Sequence, residues 1–410
     1  MNNRKIGELE LPTQIFLKQN RRRRLEQGHP WIYKSEVDHI DGELSPGQIV
    51  RVVNHKGVFL ATGYANPNSQ MITRVLTYKE DEIIDTKFFY KKILDAKLLR
   101  KRFLQDANSY RAVYGEADFL PGLIVDKYED ILVVQILSFG MDVMKEMILD
   151  ALLQVFNPKG VYLRNDVPVR RIEGLPLETR IWYGDIPEEI EIIENGLRFT
   201  VDVREGQKTG YFFDQRENRQ SIAPLMHGYS NENRSQDGAD VLECFCHTGA
   251  FAMHAANFGA HKITAVDISE EAIQAAKKNA ILNGFEDQID FHTANAFDFL
   301  REQGQAGNNY DVVLLDPPAF AKSKRALPGA IRGYKEINLR GMKLVRNGGF
   351  LITASCSFHM SPDLFRTTIL DAAVDAHKII RLLHWSSAGY DHPEIEGHYL
   401  KFAIYEVTER

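Results

Sequence analysis

From about residue 240 to the C-terminus, short apolar runs alternate with stretches of helical periodicity. The predicted strands are DVLECF, KITAVD, IDFHT, DVVLLD, GGFLITAS and YLKFAIYEV. Strands that alternate with helices in this way form a mostly parallel sheet with helices on both faces. This part of the chain is therefore predicted to be an α/β domain, whose ligands bind beyond the carboxyl ends of the strands.

The preceding residues follow a different pattern. Between residues 14 and 78, short apolar stretches are interrupted by glycine and proline, which predicts a small β-barrel-like module. A helix is expected near residues 85–107. Residues 110–200 are expected to form a small α+β domain that ends in a hairpin turning at Asn195-Gly196. The predicted domains are 1–80, 81–200 with the linker helix, and 201–410.

Composition excludes several classes of protein. With 44% hydrophobic and 26% charged residues, the 410-residue chain has the composition of globular proteins. No apolar run approaches the ~18–20 residues of a membrane helix, and the N-terminus lacks the apolar core of a secretory signal. Three cysteines are too few for a disulfide framework or a four-ligand zinc site, and the histidines lack metal-binding spacing. We therefore expect a cytoplasmic protein with reduced thiols, no metal and no membrane partner.

The N-terminal region is basic, although the net charge of the whole chain is −6. Residues 1–34 carry eight Lys or Arg residues against three acidic residues. The arginines of this region include four consecutive side chains, which can contact phosphate groups or form a solvated face. They are Arg21, Arg22, Arg23 and Arg24.

Candidate ligand-binding residues follow the first two predicted α/β strands. Residues 245–250 form a turn into a helix, although Phe245 and His247 stand where nucleotide-binding loops commonly have glycine, and only Gly249 remains. The second strand ends at Asp267, whose carboxylate can accept hydrogen bonds from ribose hydroxyls. Helix capping is the alternative role, but Ser269 already supplies a good N-cap.

The next three strands end in further candidates. The third runs into Asn295 and Ala296, which can hold an adenine or simply begin a helix. The fourth precedes residues 316–320, Asp-Pro-Pro-Ala-Phe, in which two prolines stiffen the backbone where a planar base would stack. The fifth ends at Cys356. If the fourth and fifth strands are neighbours, Asp316 and Cys356 face one pocket, which favours a catalytic thiol over a packing role.

The polar and aromatic block EGQKTGYFFDQRENR at residues 205–219 precedes the α/β domain. It is too polar for a core strand. We therefore interpret it as a cofactor lid or a substrate edge rather than a solvated loop.

The order of these motifs resembles the class I S-adenosylmethionine-dependent methyltransferases. More narrowly, HPWIY, GEADFLPGLIVDKY, QKTGYFFDQR and RGYKEIN are similar to the bacterial large-subunit ribosomal RNA cytosine-5 methyltransferase I family, over almost the whole chain. In that family an RNA-binding PUA module precedes a small central domain and a C-terminal Rossmann-like methyltransferase domain. The resemblance implies S-adenosyl-L-methionine as cofactor, and large-subunit (23S) ribosomal RNA, naked or partly assembled, as substrate and partner.

The resemblance also implies roles for individual residues. Asp316 would hold the cytosine edge, and Cys356 would be the nucleophile. Thr248, Gly249 and Ala250 would contact the methionine end of the cofactor, Asp267 its ribose, and Asn295 with Ala296 its adenine. The full set of cofactor candidates is Phe245, Cys246, Thr248, Gly249, Ala250, Asp267, Ile268, Asn295, Ala296, Asp316, Pro317, Thr209, Tyr211, Asp214 and Gln215. The RNA candidates are Arg21, Arg22, Arg23, Arg24, Pro318, Phe320 and Lys322.

Cytosine chemistry explains the need for a thiol, because carbon 5 is a poor nucleophile until a thiolate adds to carbon 6. The sequence does not identify the base that removes the carbon-5 proton. Two positions depart from the usual patterns. Asn295 replaces a frequent aspartate, and Ala319 stands where well-known RNA cytosine-5 enzymes carry a second cysteine that helps to release product.

Several alternatives stay open. An RNA methyltransferase acting on a guanine nitrogen or an exocyclic amine would use the same fold and Asp-Pro-Pro motif without a thiol. A non-catalytic RNA-binding factor of ribosome assembly would keep the fold alone. A nicotinamide-dependent oxidoreductase is disfavoured by the missing glycines. A homodimer is compatible with the sequence.

Overall fold

A computed structural model of the chain describes residues 13–105, 107–206, 209–227, 238–395 and 399–410. These residues form two compact units. The first contains the described residues up to Glu188 together with Asp202–Gly210, and the second contains Glu189–Val201 and Tyr211–Arg410. None of the helices in these ranges has the length and apolarity required to cross a bilayer.

The predicted N-terminal β module is present in the first unit. Its strands are β1 (Gln14–Leu17), β2 (Trp31–Ile32), β3 (Val37–Asp41), β4 (Ile49–Val53), β5 (Phe59–Ala65) and β6 (Thr73–Thr77). They form one six-stranded sheet in the order β2-β6-β5-β4-β1-β3. Paired strands are antiparallel except for β1 and β4. Apolar side chains such as Ile15, Val52 and Val75 form its core.

The same unit contains the predicted helix and central α+β domain. Its elements are α1 (Thr86–Phe103), β7 (Tyr110–Tyr114), β8 (Leu123–Tyr128), β9 (Ile131–Ile136), α2 (Phe139–Val143), α3 (Lys145–Phe156), β10 (Gly160–Asn165), α4 (Val169–Glu173) and β11 (Glu178–Gly184). The sheet order is β11-β10-β9-β8-β7. The edge strand β11 was not predicted, because most of its side chains are exposed and the alternation typical of a half-buried strand is absent.

The hairpin that the sequence assigns to the central domain belongs to the second unit. It consists of β12 (Ile190–Glu194) and β13 (Leu197–Val201). Asn195 and Gly196 have φ angles of 52° and 82°, the left-handed conformation that the predicted type I′ turn requires. Side chains of Asn279 and Asn283 accept hydrogen bonds from the backbone of β13, which explains why the hairpin groups with the C-terminal residues.

The C-terminal sheet confirms the predicted α/β fold. The strands of this sheet and the helices that accompany them in the chain are α5 (Arg216–Ser221), α6 (Ala223–Met226), β14 (Asp240–Cys244), α7 (Ala250–Asn257), β15 (Lys262–Asp267), α8 (Glu270–Asn283), β16 (Ile289–Thr293), α9 (Ala296–Gln305), β17 (Tyr310–Leu315), α10 (Leu327–Leu344), β18 (Val345–Ser355), α11 (Pro362–Asp375), β19 (Lys378–Ser386) and β20 (Lys401–Glu409). The strand order is β16-β15-β14-β17-β18-β20-β19. The first five strands in this order are parallel, and β20 is antiparallel to both of its neighbours. Of the strands in this sheet, β19 alone is not predicted from the sequence, because it is an edge strand with exposed apolar side chains.

Strand register determines which loops meet. Leu315 of β17 pairs with Thr353 of β18, so the predicted neighbours are confirmed, and Asp316 and Cys356 follow adjacent strands at one edge. On the other side of β18, Ser355 pairs with Lys401 of β20. Short 3-10 helices complete the fold at Leu25–Gln27, Lys34–Glu36, Gly115–Asp118, Phe213–Gln215 and Lys324–Ala326.

Candidate active site

The loop between β14 and α7 has the backbone shape of a glycine-rich loop without most of the glycines. Phe245, His247 and Gly249 have φ angles of 67°, 48° and 77°. A non-glycine residue in this left-handed region costs of the order of 1–3 kcal/mol. Two hydrogen bonds from backbone N–H groups hold the loop: Cys246 N donates to Val266 O at 3.0 Å, and His247 N donates to the Asp267 side-chain Oδ2 at 2.8 Å. The conformation is therefore retained where the sequence motif is not.

Asp267 connects this loop to the end of β15. Its second oxygen accepts a hydrogen bond from Ser269 N at 3.0 Å. The cap of α8 is Ser269, whose hydroxyl accepts from Ala272 N at 3.1 Å, as the sequence predicted. The next side chain, Ile268, is 70% exposed. Asp267 thus orients the loop rather than capping the helix, and an apolar surface lies beside it.

Asn295 begins a helix, which is the alternative to binding adenine that the sequence left open. Its Oδ1 accepts a hydrogen bond from Phe297 N at 2.9 Å, which makes it the N-cap of α9. Ala296 is buried in the core of the sheet. A contact of either residue with the cofactor stays a prediction.

Glu243, near the end of β14, is a candidate that sequence reasoning missed. Its side chain is buried, and among the described residues no group donates a hydrogen bond to its Oε2. Burial raises the pKa of this carboxyl well above its ordinary value, and the nearby charges of Asp316 and Asp267 add to the shift. An acidic residue inside an apolar strand is the signal that could have identified it.

Part of the 205–219 block forms a buried ion cluster around Glu194 of the hairpin. Arg219 donates to both carboxylate oxygens, at 2.6 and 3.0 Å, and the Tyr211 hydroxyl donates to Oε1 at 3.1 Å. Burial opposes ionisation of Glu194, but Arg219 and Arg216 outweigh it and lower the pKa of this carboxyl. Tyr211, a predicted cofactor contact, therefore lies among residues that attach the hairpin to α5.

Another part of the block reaches the end of β17. Gln215 Nε2 donates to Asp316 Oδ2 at 3.0 Å, and Asn218 donates to Gln215 Oε1 at 2.6 Å. Asp214 accepts a hydrogen bond from the Tyr399 hydroxyl at 2.7 Å. The chain from Asn218 through Gln215 fixes the Asp316 carboxylate, so the structure places Gln215 on a predicted catalytic group.

Thr209 is the one cofactor candidate that belongs to the first unit. Its buried hydroxyl bonds the Asp126 carboxylate and lies 3.2 Å from the Tyr128 hydroxyl. Asp126 in turn accepts two hydrogen bonds from Arg111, at 2.8 and 2.9 Å. The structure thus gives Thr209 a place in a buried polar network.

Cys356 lies directly after β18 and is partly exposed. Its Sγ is 3.9 Å from the carbonyl oxygen of Pro317, so the thiol lies against the Asp-Pro-Pro loop. Tyr334 comes from the RGYKEIN motif, to which the sequence analysis gave no role. Its hydroxyl is 2.9 Å from the hydroxyls of both Ser355 and Ser357, the residues that flank Cys356. Tyr334 therefore holds the backbone on both sides of the thiol.

The RNA candidates differ in exposure. In the Asp-Pro-Pro loop, Pro317 is buried, Phe320 is partly exposed, and Pro318 and Lys322 are exposed. Of the four consecutive arginines, Arg22 and Arg23 are exposed. Arg21 donates to both oxygens of Glu26, at 2.7 and 3.0 Å, and Arg24 bonds His29 at 2.8 Å. RNA contacts of these residues stay predictions.

Comparison with known proteins identifies the family. Residues 15–78 match the model of the PUA-like domain, and residues 169–395 match that of S-adenosylmethionine-dependent methyltransferases. The ribosomal RNA large subunit methyltransferase I of Tolumonas auensis is 38% identical over 400 residues, covering 95% of this chain and 98% of the relative. The enzyme of the same name from Shewanella amazonensis is 40% identical over 405 residues, covering 97% and 100%.

Solved structures show the same fold. A Streptococcus mutans protein described as a SAM-dependent methyltransferase covers 96% of this chain and 99% of its own, with a TM-score of 0.79 at 21% identity. A methyltransferase complexed with SAH gives a TM-score of 0.80, also at 21% identity. Together with the curated relatives, these matches confirm the predicted fold and cofactor. The chain belongs to the ribosomal RNA large subunit methyltransferase I family, in which a PUA-like domain precedes an S-adenosylmethionine-dependent methyltransferase domain.

Proposed function

We propose that this protein methylates carbon 5 of a cytosine in large-subunit (23S) ribosomal RNA, with Cys356 as a covalent nucleophile. The names of the relatives support ribosomal RNA as the substrate class. One observation carries the choice of cytosine: a partly exposed thiol and a carboxylate follow adjacent parallel strands, and the thiol lies against the loop that carries the carboxylate. Transfer to a nitrogen atom requires no such thiol.

The residues at the carboxyl edge of the sheet fit S-adenosylmethionine. The buried Glu243 oxygen without a hydrogen bond suits the amino group of the methionine end. The left-handed loop around Gly249 would receive that end of the molecule, and Asp267 with the exposed Ile268 would receive the nucleoside. When bound, this cofactor supplies a methyl group on a positively charged sulfur, which an electron-rich carbon can accept.

Cys356 makes the carbon electron-rich. Its thiolate forms a bond to carbon 6 of cytosine, and the electron pair of the carbon 5–carbon 6 double bond shifts to carbon 5. Asp316, fixed by Gln215, accepts a hydrogen bond from the amino edge of the base and orients it. After carbon 5 is methylated, loss of its proton to a base restores the double bond, and the carbon–sulfur bond breaks to return the Cys356 thiolate.

The cytosine must leave its stack to reach the thiol. Exposed cationic side chains such as Arg22, Arg23 and Lys322 would then hold the surrounding RNA through its phosphates, which position a nucleic acid without reading its sequence. The predicted cytoplasmic location and homodimer stay predictions.

The test compares the wild-type protein with C356A on 23S RNA from a strain that lacks the protein. We expect labelled methyl groups to be mapped to a cytosine, and the C356A rate to fall by roughly 10³-fold or more, as when a covalent nucleophile is removed. RNA containing 5-fluorocytosine, which lacks the removable proton, should form a denaturant-stable adduct with the wild type only. Undiminished cytosine methylation by C356A would overturn the covalent mechanism. Methyl groups on a nitrogen atom would favour the N-methyltransferase, and a lack of incorporation would favour an assembly factor.

A further inference from the structure

We propose that Lys401 is a positioning residue for the Cys356 nucleophile, and that its buried ammonium group stabilises the thiolate and fixes the loop that carries it. The inference rests on the proposed function, because it assigns a partner to the thiol of that reaction. Lys401 lies outside every motif considered in the sequence, since a lysine at the start of a C-terminal strand has no distinguishing pattern.

The register of the sheet brings Lys401 to the thiol. Lys401 is the first residue of β20 and pairs with Ser355, the residue before Cys356. Its side chain is fully buried, and its Nζ donates to the carbonyl oxygens of Ser357 and Tyr399, each at 2.8 Å. Ser357 is the residue after Cys356, so the cation bonds the backbone beside the nucleophile.

The ammonium group of Lys401 is held by carbonyl oxygens. It forms no ion pair with any carboxylate of the described residues, although a buried charge normally requires a partner. Two partial negative charges, the backbone carbonyls, replace it. Because Lys401 pairs with the residue before the thiol and bonds the residue after it, its buried ammonium group would gain stabilisation when the thiol becomes a thiolate, and the thiolate would gain equally.

The surrounding titratable groups are consistent with this role. Burial lowers the pKa of Lys401 to about 8, while Cys356 and Glu394 oppose the shift. Tyr334 faces the same loop through its bonds to the hydroxyls of Ser355 and Ser357, and burial raises the pKa of its phenol, so it stays neutral. Tyr399 contributes its carbonyl, and Asp316 precedes Pro317, whose carbonyl faces the thiol. Lys401 is the cation among these groups.

The test measures the alkylation of Cys356 by iodoacetamide as a function of pH, located by peptide mass spectrometry in the full-length protein. K401M removes the charge and keeps the length of the side chain, and K401R keeps the charge. K378M is the matched control, because Lys378 lies on the same sheet and pairs with Glu409 at the far end of the β19–β20 ladder. We expect K401M to raise the midpoint of the pH profile of Cys356 alkylation by about one pH unit, the usual effect of removing a neighbouring opposite charge. K401R and K378M should leave the midpoint unchanged.

The wild-type protein provides an independent measurement if K401M fails to fold. Its midpoint should lie below the value of about 8.5 for an ordinary cysteine, and a midpoint at or above that value would overturn the inference. A folded K401M with the wild-type profile would also overturn it. Neither result would affect the proposed function, which is tested separately by the C356A comparison and by the position of the transferred methyl group.

Discussion

The carboxyl ends of β14 and β18 both carry cysteines at the same edge of one sheet, but their thiols have opposite environments. Cys244 is fully buried and Cys246 is 4% exposed, and burial raises the pKa of both thiols well above the ordinary value. Cys356 is partly exposed, lies against the Asp-Pro-Pro loop and is followed by Ser357, whose carbonyl oxygen accepts a hydrogen bond from the buried Lys401. Location at the sheet edge therefore does not make a cysteine reactive. Burial and neighbouring charge decide which thiol can ionise.

The largest expected effect is a direct test of this contrast. C356A should lower the methyl-transfer rate by roughly 10³-fold or more while leaving stability unchanged, because a partly exposed side chain contributes little packing. C244A should leave the methyl-transfer rate unchanged and lower the stability, since it leaves a small cavity in the core that costs about 1 kcal/mol of unfolding free energy. Single-turnover kinetics and urea unfolding measure the two effects. A C244A variant as inactive as C356A would remove the distinction between the two strand ends.

Asp316 follows β17, the strand that lies between β14 and β18. D316N should lower kcat by about 10²-fold, the order expected when one charged group is removed from a reacting base. Q215A should cause a smaller loss, because it leaves the carboxylate in place and removes only the hydrogen bond that orients it. Steady-state kinetics on the same RNA measures both. Equal losses in the two variants would mean that orientation, rather than charge, is the contribution of Asp316.

The smallest effect on function is expected from a change at Glu243, which lies next to Cys244 in β14. E243Q should weaken S-adenosylmethionine binding about tenfold, since the amide oxygen of glutamine accepts a weaker hydrogen bond from the amino group than a carboxylate does. The same change should raise the unfolding free energy of the free protein by about 1 kcal/mol at neutral pH. Calorimetric titration and urea unfolding measure these two quantities.

The stability gain of E243Q should depend on pH. Because the pKa of Glu243 is raised on folding, the unfolded chain loses this proton as the pH rises above 4.5, while the folded chain keeps it. Wild-type stability from this group is therefore complete below pH 4.5 and declines as the pH rises towards the folded pKa. E243Q has no such group, so its advantage should grow with pH. An advantage that shrinks with pH would contradict the assignment.

Local sequence pattern is sufficient to predict the parallel sheet. Alternating apolar strands and helices identify it, and Asp267, Asp316 and Cys356 lie at or directly after the ends of its strands. The edge strands β11 and β19 are not predicted, because their exposed side chains lack the pattern of a buried face. The first loop appeared to be a poor fingerprint, yet Phe245 and His247 adopt the left-handed conformation usually provided by glycine. The loop requires positive φ angles, and the type of residue at a position predicts such an angle only in part.

The block at 205–219 shows a second limit. Sequence reasoning placed Tyr211 and Gln215 at the cofactor because both are polar and close to the α/β domain. Contact with the cofactor stays a prediction for both, but the structure also gives them the hydrogen-bond partners Glu194 and Asp316, which lie 17 and 101 residues away along the chain. Hydrogen bonds of this range depend on how separate elements pack, which local pattern does not encode.

The sequence by itself determined the fold class, the family and the residue types available at the edge of the sheet, because these follow from periodicity and short motifs. Only the tertiary structure decided which of three cysteines is accessible, which side chain orients Asp316, and where the buried charge of Lys401 lies. The physical reason is that the ionisation of a thiol depends on burial and on nearby charges. Both are set by side chains from distant strands and helices, which become neighbours only when the chain folds.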